Sequence, residues 1–228
     1  MTLPADHPQR FLLSNEVHAR PQEALHPPVR VSYLAVTIEP EERDAEHVHV
    51  AALCARYGAH PPPPDATHFS ADLGPFRFTW EPHTEFTSYT FTQQGAGARP
   101  FSDPAARTVP AEWLAAIPGR TMVALHADVL DRGQPMPDAS VIAAYFQGNH
   151  VVGAGVGDGA GAVFTDFRAH ADGFGRILVF DRALSRRQVG RTLQRMFEIE
   201  TYRVMALLAL PIARSAAPRV RAMEGELG

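Results

Sequence analysis

Lysine is absent from the 228-residue chain, and all 21 of its basic residues are arginine. No side chain can therefore form a Schiff base, and no P-loop lysine is available for a nucleotide phosphate. Because Cys54 is the only cysteine, an intrachain disulfide and a zinc site built from several thiolates are both excluded. The sequence also lacks the Gly-x-Ser-x-Gly motif of serine hydrolases.

Long hydrophobic runs are also missing. The most apolar run, Val204 to Ala213, has ten residues and includes Pro211, whereas a membrane-spanning helix needs about 20 residues. The segment from Met1 to Arg20 is polar and has no apolar stretch of the signal-peptide type. The formal net charge of −4, without a basic stripe, argues against nucleic acid as a partner. We therefore expect a cytoplasmic protein.

The chain has an ordinary globular composition, with 45% hydrophobic and 20% charged residues. We predict a single α/β (α+β) domain with a mixed, largely antiparallel sheet of roughly six to eight strands, packing helices and a long C-terminal helix. The predicted strands are Val29–Ile38, His68–Asp72, Phe76–Glu81, Glu85–Gln93, Thr121–Leu130, His150–Val156, Ala162–Phe167 and Arg176–Phe180.

Helix signals complete this prediction. A helix is expected from Pro40 to Tyr57, and a short one from Pro110 to Ile117; the pattern of 139–146 is compatible with either strand or helix. The domain should occupy residues 1–184, and a long helix packing on it should occupy residues 185–228.

The long C-terminal helix has its own start and stop signals. Ser185 and Gln188 form a capping-box pattern at its beginning. Pro211 is expected to kink or end it, and helical character resumes at residues 219–227.

The segment Trp80–Phe86 (Trp-Glu-Pro-His-Thr-Glu-Phe) carries the most suggestive chemistry. In an extended strand, Glu81, His83 and Glu85 would share one face. Two carboxylates beside an imidazole could bind a divalent metal such as zinc, manganese or magnesium, or perform acid–base catalysis. A solvated strand face, or a buried histidine held by one glutamate, explains the same pattern without a function.

Two further groups of polar residues are candidates. Glu16, His18 and Arg20 lie in a loop between Ser14 and Pro21 that could fold over the Glu81 face and enlarge its site. Asp166, Arg168, His170 and Asp172 alternate with other residues before Gly173. They suggest either a nucleotide- or acid-binding loop or a salt-bridged turn.

Several long motifs resemble the bacterial domain-of-unknown-function family 3422. They cover most of the chain and are Leu13–Pro21, Trp80–Phe86, Thr165–Arg168, Asp172–Gly175 with Arg176, and Gln194 with Glu198–Pro211. The resemblance implies the N-terminal soluble part of a longer protein that continues into a stalk and hydrophobic segments anchored in the inner membrane. Pro82 departs from the polar residue expected inside the second motif.

Two functions are compatible with these observations. The resemblance and the missing catalytic motifs favour a regulatory or interaction domain of a membrane-anchored protein. The Glu/His pattern favours a metal-dependent enzyme, for example a hydrolase. A helix that exposes Leu207, Leu208 and Leu210 would also allow a homo-oligomer through its C-terminal part.

Overall fold

One mixed, eight-stranded sheet organises the chain in a computed structural model that describes Asp6, residues 23–133 and residues 135–227. The strand order is β2-β3-β4-β1-β5-β8-β7-β6, and every neighbouring pair is antiparallel except β5 with β8. The strands are β1 (Val29–Thr37), β2 (Phe69–Asp72), β3 (Arg77–Pro82), β4 (Thr87–Gln94), β5 (Arg120–Leu130), β6 (Val152–Val156), β7 (Gly161–Thr165) and β8 (Gly175–Asp181). The predicted fold class is confirmed.

Four α-helices accompany the sheet in the described ranges: α1 (Arg43–Arg56), α2 (Ala111–Ala115), α3 (Ala139–Tyr145) and α4 (Arg186–Leu227). The sequence pattern of 139–146 is compatible with either strand or helix, and in the structure Ala139–Tyr145 is helical. Of the two outcomes expected at Pro211, a kink or an end of the helix, the end is wrong, because α4 continues through Pro211 and Pro218.

Local signals explain where the helices begin and end. Gly58, with φ of +70°, follows α1 and adopts the left-handed conformation that glycine tolerates best. Before α4, the Ser185 N–H donates to Oε1 of Gln188 at 2.8 Å, and the Gln188 N–H donates to the Ser185 hydroxyl oxygen at 3.3 Å. This reciprocal pair is the capping box predicted from the sequence.

The first core lies between α4 and one face of the sheet. Val31, Leu125 and Val179 on the strands pack against Leu193 and Phe197 on the helix. The helix crosses β5, the strand with which it makes most of its contacts. This core covers β1, β5, β8 and Val163 of β7, and it leaves the polar face of β2–β4 open.

The opposite face carries two further cores. Phe78, Trp80 and Phe91 pack against α1 and Trp113 in the first of them. The second is smaller and packs Phe180 against Phe146, next to α3. The molecule therefore has three layers, with α4 on one side of the sheet and the shorter helices on the other.

The C-terminal part of α4 extends beyond these cores. Leu207, Leu208 and Leu210 are 48%, 55% and 40% exposed, respectively. No helix in the part of the chain that the structure covers is both long and apolar enough to cross a membrane.

Candidate functional site

Strand alternation gives β3 and β4 one apolar and one polar face. Phe78 and Trp80 of β3 point into the core beside α1, so their neighbours Arg77, Thr79 and Glu81 lie on the opposite face. The same alternation in β4 puts Ser88, Thr90 and Thr92 on that opposite face. Hydroxyl groups therefore cover the half of the sheet that α4 leaves open.

A cleft of about 290 Å³ lies between this polar face and α4. Its floor is the polar face just described, with Ser70 of β2 at the sheet edge. Leu193 and Phe197 of α4 form an apolar wall, together with Phe86. A molecule in this cleft would contact the sheet and the helix at the same time.

A hydrogen-bonded His–Glu pair and an Arg–Glu ion pair line the cleft. His68 Nδ1 lies 3.1 Å from Oε1 of Glu81, and the Ser88 hydroxyl donates to the other carboxylate oxygen at 3.3 Å. The Arg77 Nε lies 3.0 Å from a carboxylate oxygen of Glu23. The His68 and Glu81 side chains are 28% and 20% exposed, so solvent still reaches the pair.

Glu23 enters the cleft from the segment that precedes β1. Burial raises the pKa of its carboxyl group, and the charges of Arg77 and His68 oppose that rise while the charge of Glu81 adds to it. The backbone of Glu23 also approaches α4 closely, since a Cβ placed on Gly190 would lie only 1.8 Å from the Glu23 carbonyl oxygen. The absence of a side chain at position 190 is therefore what lets this segment cross the helix.

The predicted residues Glu81 and His83 both line the cleft, but Glu85 does not. The expected alternation of the three side chains is wrong beyond Pro82, because the chain turns there and the His83 N–H donates to the Phe86 carbonyl at 2.7 Å. Glu85 lies on this turn and is exposed. The His83 ring instead stacks on Phe86, with a centroid separation of 4.1 Å.

The predicted metal site is not assembled within residues 23–133 and 135–227. No group of three or more His, Cys, Asp or Glu side chains there is arranged to hold a metal ion. Glu16, His18 and Arg20, which were expected to approach the Glu81 face, lie outside the described residues.

Asp166 and Arg168 do not line the cleft. Asp166 is buried and accepts a hydrogen bond from Asn149 Nδ2 at 2.8 Å, and its carboxylate lies 2.9 Å from His170 Nε2. Arg168 is exposed, and its N–H donates to Asp166 Oδ1 at 3.3 Å. This arrangement matches the salt-bridged turn better than a ligand-binding loop.

Sequence reasoning missed His68, Arg77 and the row of hydroxyl groups on β4. The signal was present, because polar and aromatic residues alternate strictly from Arg77 to Glu81 and from Ser88 to Thr92. To predict that this polar face is uncovered, one must know that α4 does not extend over β2–β4. A local sequence pattern does not contain that information.

Comparisons with known proteins give one match. The model of a family described as protein of unknown function (DUF3422) matches residues 5–228. No curated protein and no solved structure matches the chain.

Proposed function

The chain belongs to the DUF3422 family of proteins of unknown function, and we propose that it is a ligand-sensing regulatory domain. In this proposal the cleft is the sensor and α4 transmits its state. One observation carries the idea: the helix that forms a wall of the cleft through Leu193 and Phe197 continues to Leu227. A ligand that changes the packing of this wall would act on a helix that extends well beyond the sheet.

The contacts between β1 and α4 support such a coupling. The rings of Tyr33 and Phe197 stack at a centroid distance of 4.6 Å, and both residues line the cleft. One helical turn further along, the Tyr33 hydroxyl meets Oγ1 of Thr201. A bound ligand and the helix would therefore contact the same aromatic side chains. The ligand could then bind more tightly with the helix in one position than in another, and this difference in affinity is required to shift the helix.

The charges of the cleft indicate the class of ligand. Among the described residues, the carboxylates of Glu23, Glu81 and Glu198 line it beside one guanidinium, that of Arg77. The aromatic rings of the wall favour an apolar body and can also stabilise a cation over their faces. We expect a small organic amine with an aromatic or aliphatic body.

The segment before Glu23 belongs to the same proposal. His18 is five residues from Glu23, and five fully extended residues span at most roughly 17 Å. Glu23 is itself in the cleft, so this distance keeps His18 within reach of it. We expect Glu16, His18 and Arg20 to complete the binding site.

The output of the sensor would lie at the far end of α4. The exposed side chains of Leu207, Leu208 and Leu210 suit a contact with a second copy or with a following part of the protein. In keeping with the sequence motifs, we propose that this domain precedes a stalk and a membrane anchor and lies on the cytoplasmic side of the inner membrane.

A cleft-filling variant tests the sensor. Thr90 lines the cleft and is not part of a core, so Thr90→Trp should fold and occupy the space. We expect phenethylamine, agmatine or spermidine to raise the melting temperature of the wild type and to slow amide hydrogen exchange in residues 193–205. Thr90→Trp should lose both effects, whereas Val48→Trp, at a 70% exposed position on α1, should keep them. Equal shifts in all three proteins, or no shift with any amine, would contradict the proposal.

A metal-dependent enzyme is the second candidate, and the His68–Glu81 pair favours it. A carboxylate on Nδ1 fixes the imidazole so that Nε2 can bind a metal or accept a proton, and His83 lines the same cleft. Elemental mass spectrometry of the untagged protein tests this function. Stoichiometric zinc, manganese or magnesium that is lost in both His68→Ala and His83→Ala, but retained in Glu85→Ala, would support it. A metal-free wild type that also fails to bind these ions when they are added would eliminate it.

A further inference from the structure

The edge strand β6 lies at the end of the sheet opposite to the cleft. Its outer edge pairs with no strand among residues 23–133 and 135–227. Val152 is 47% exposed, and the next three residues are exposed as well. An open edge of this kind is a template for pairing with another strand, and proteins usually protect it with charges, prolines or bulges. From Val151 to Gly157 the chain has no charged residue and no proline.

The sequence of β6 reads the same in both directions. It is Val-Gly-Ala-Gly-Val, with Ala154 at its centre. If two copies paired antiparallel around a two-fold axis through Ala154, Val152 would face Val156 of the second copy, and Gly153 would face Gly155. Each Ala154 would face its own counterpart. A two-fold interface requires self-complementarity of this kind.

The side chains of β6 favour one register. His150 and Asp158 lie outside the paired residues, and Asp158 is in the turn to β7 with φ of +55°, so the strand itself determines the pairing. Pairing centred on Ala154 sets Val152 of one copy against Val156 of the other at both ends of the strand. A register shifted by two residues would set a valine against Ala154 instead, so the side chains favour pairing centred on Ala154.

The two glycines of β6, Gly153 and Gly155, leave the strand without bulky side chains at these positions. A Cβ on Gly153 would lie 2.6 Å from the ring of Phe164 on the neighbouring strand β7, so a glycine is needed there for the strands to pair. A Cβ on Gly155 would meet no atom within 4 Å. The strand therefore presents its backbone with few side chains in the way of a second copy.

We propose that two copies of this chain associate through β6 and form one continuous sheet across the two-fold axis. The interface consists of the antiparallel backbone pairing of residues 152–156. It is separate from the ligand-sensing cleft and does not depend on it, because the two sites lie on opposite edges of the sheet.

A lysine at the centre of the strand tests the pairing. Ala154 is exposed, so Ala154→Lys should leave the fold of each copy intact. At the axis, however, it places two like-charged side chains directly opposite each other, with Cβ atoms about 5 Å apart, which destabilises the pairing. By light scattering over the micromolar range, we expect the wild type to have twice the 24.9 kDa mass of one chain and Ala154→Lys to have the mass of one chain. Far-ultraviolet circular dichroism checks the fold, and Val48→Lys on α1 should remain a dimer.

A cysteine at the same position tests the register. The native thiol of Cys54 is buried, so Ala154→Cys provides the reactive thiol. Directly opposed residues of antiparallel strands have Cα atoms about 4.5–5.5 Å apart, which is within the range of a disulfide. Mild oxidation should link two Ala154→Cys chains covalently and leave Val48→Cys chains unlinked.

Three results would overturn the proposal. The first is a wild type that stays monomeric throughout the micromolar range, as it would if β6 paired with a strand of another protein or with a segment of its own chain. The second is a dimer that survives Ala154→Lys while Ala154→Cys remains unlinked. The third is a dimer that Leu208→Arg dissociates and Ala154→Lys does not, because the copies would then associate through α4.

Discussion

The Tyr33 hydroxyl on β1 and the Thr201 hydroxyl on α4 lie 3.1 Å apart, in a position that water does not reach. The contact joins β1 to the helix that bounds the cleft. Burial raises the pKa of Tyr33 well above its usual range, so the phenol remains protonated and can donate this hydrogen bond at any physiological pH.

Removing one partner of this hydrogen bond should cost stability. Tyr33→Phe leaves the Thr201 hydroxyl buried without this partner, and we expect a loss of about 1–3 kcal/mol in the free energy of unfolding. Urea unfolding measures the loss. When Thr201→Val is added to Tyr33→Phe, the double variant should lose less than the sum of the two single variants. Strictly additive losses would show that the two hydroxyls do not interact.

Asp128 should make the protein less stable as the pH rises. Burial raises the pKa of Asp128 to about 6 from 3.8, although the Phe101 N–H donates to its carboxylate at 2.9 Å. The neutral form contributes its full stability below about pH 4, and this contribution, up to about 3 kcal/mol, is lost as the pH rises through 6. In urea titrations across this range, Asp128→Asn should lose less stability than the wild type. Equal losses of stability in Asp128→Asn and the wild type would contradict this role of Asp128.

His126 should have the opposite effect in the same pH range. Burial lowers the pKa of His126 to about 4 from 6.5, and the ring lies against Phe174 with a centroid distance of 3.8 Å. The neutral imidazole contributes its full stability above about pH 6.5, and the contribution is lost as the pH falls towards 4. His126→Asn keeps an acceptor for the Ser32 hydroxyl, which lies 2.9 Å from Nδ1. Its stability should therefore fall less on acidification than that of the wild type, and an equal fall would contradict this role.

Gly190 should be the position on α4 that tolerates a methyl group least. The Cβ of Gly190→Ala would lie 1.8 Å from the Glu23 carbonyl oxygen, so the segment that carries Glu23 must move away from the helix. We expect a loss of about 1–3 kcal/mol, measured by urea unfolding, and weaker amine binding in the cleft. Gly155→Ala, whose Cβ meets no atom within 4 Å, is the control and should change stability by less than about 1 kcal/mol. Equal stabilities of Gly190→Ala and the wild type would show that the segment carrying Glu23 does not need to approach α4 this closely.

Much of the fold could be predicted from the sequence because its signals are local. The strands around Val31 and Leu125 are runs of β-branched and apolar residues, and Ser185 with Gln188 marks the start of α4. The end of α4 could not be predicted in this way. Proline weakens a helix by a local loss of one hydrogen bond, yet α4 continues past Pro211.

The candidate site was only partly predictable, for a different reason. Spacing in the sequence identifies Glu81 and His83, and both line the cleft. An extended strand would group Glu85 with them, but the turn at His83–Phe86 separates it from them. His68 was missed because its pairing with Glu81 depends on β2 lying beside β3, which no local pattern encodes.

The two-faced character of β3 and β4 also limits how the length of these strands can change. Inserting or deleting one residue within Arg77–Pro82 would exchange the faces of all residues beyond it, so Trp80 would enter the cleft and Glu81 would enter an aromatic core. Changes of two residues would preserve the faces, and changes at the turn after Pro82 would leave both strands in register. Among natural length variants of this domain, those in the β3–β4 hairpin should therefore cluster at Thr84 and Glu85.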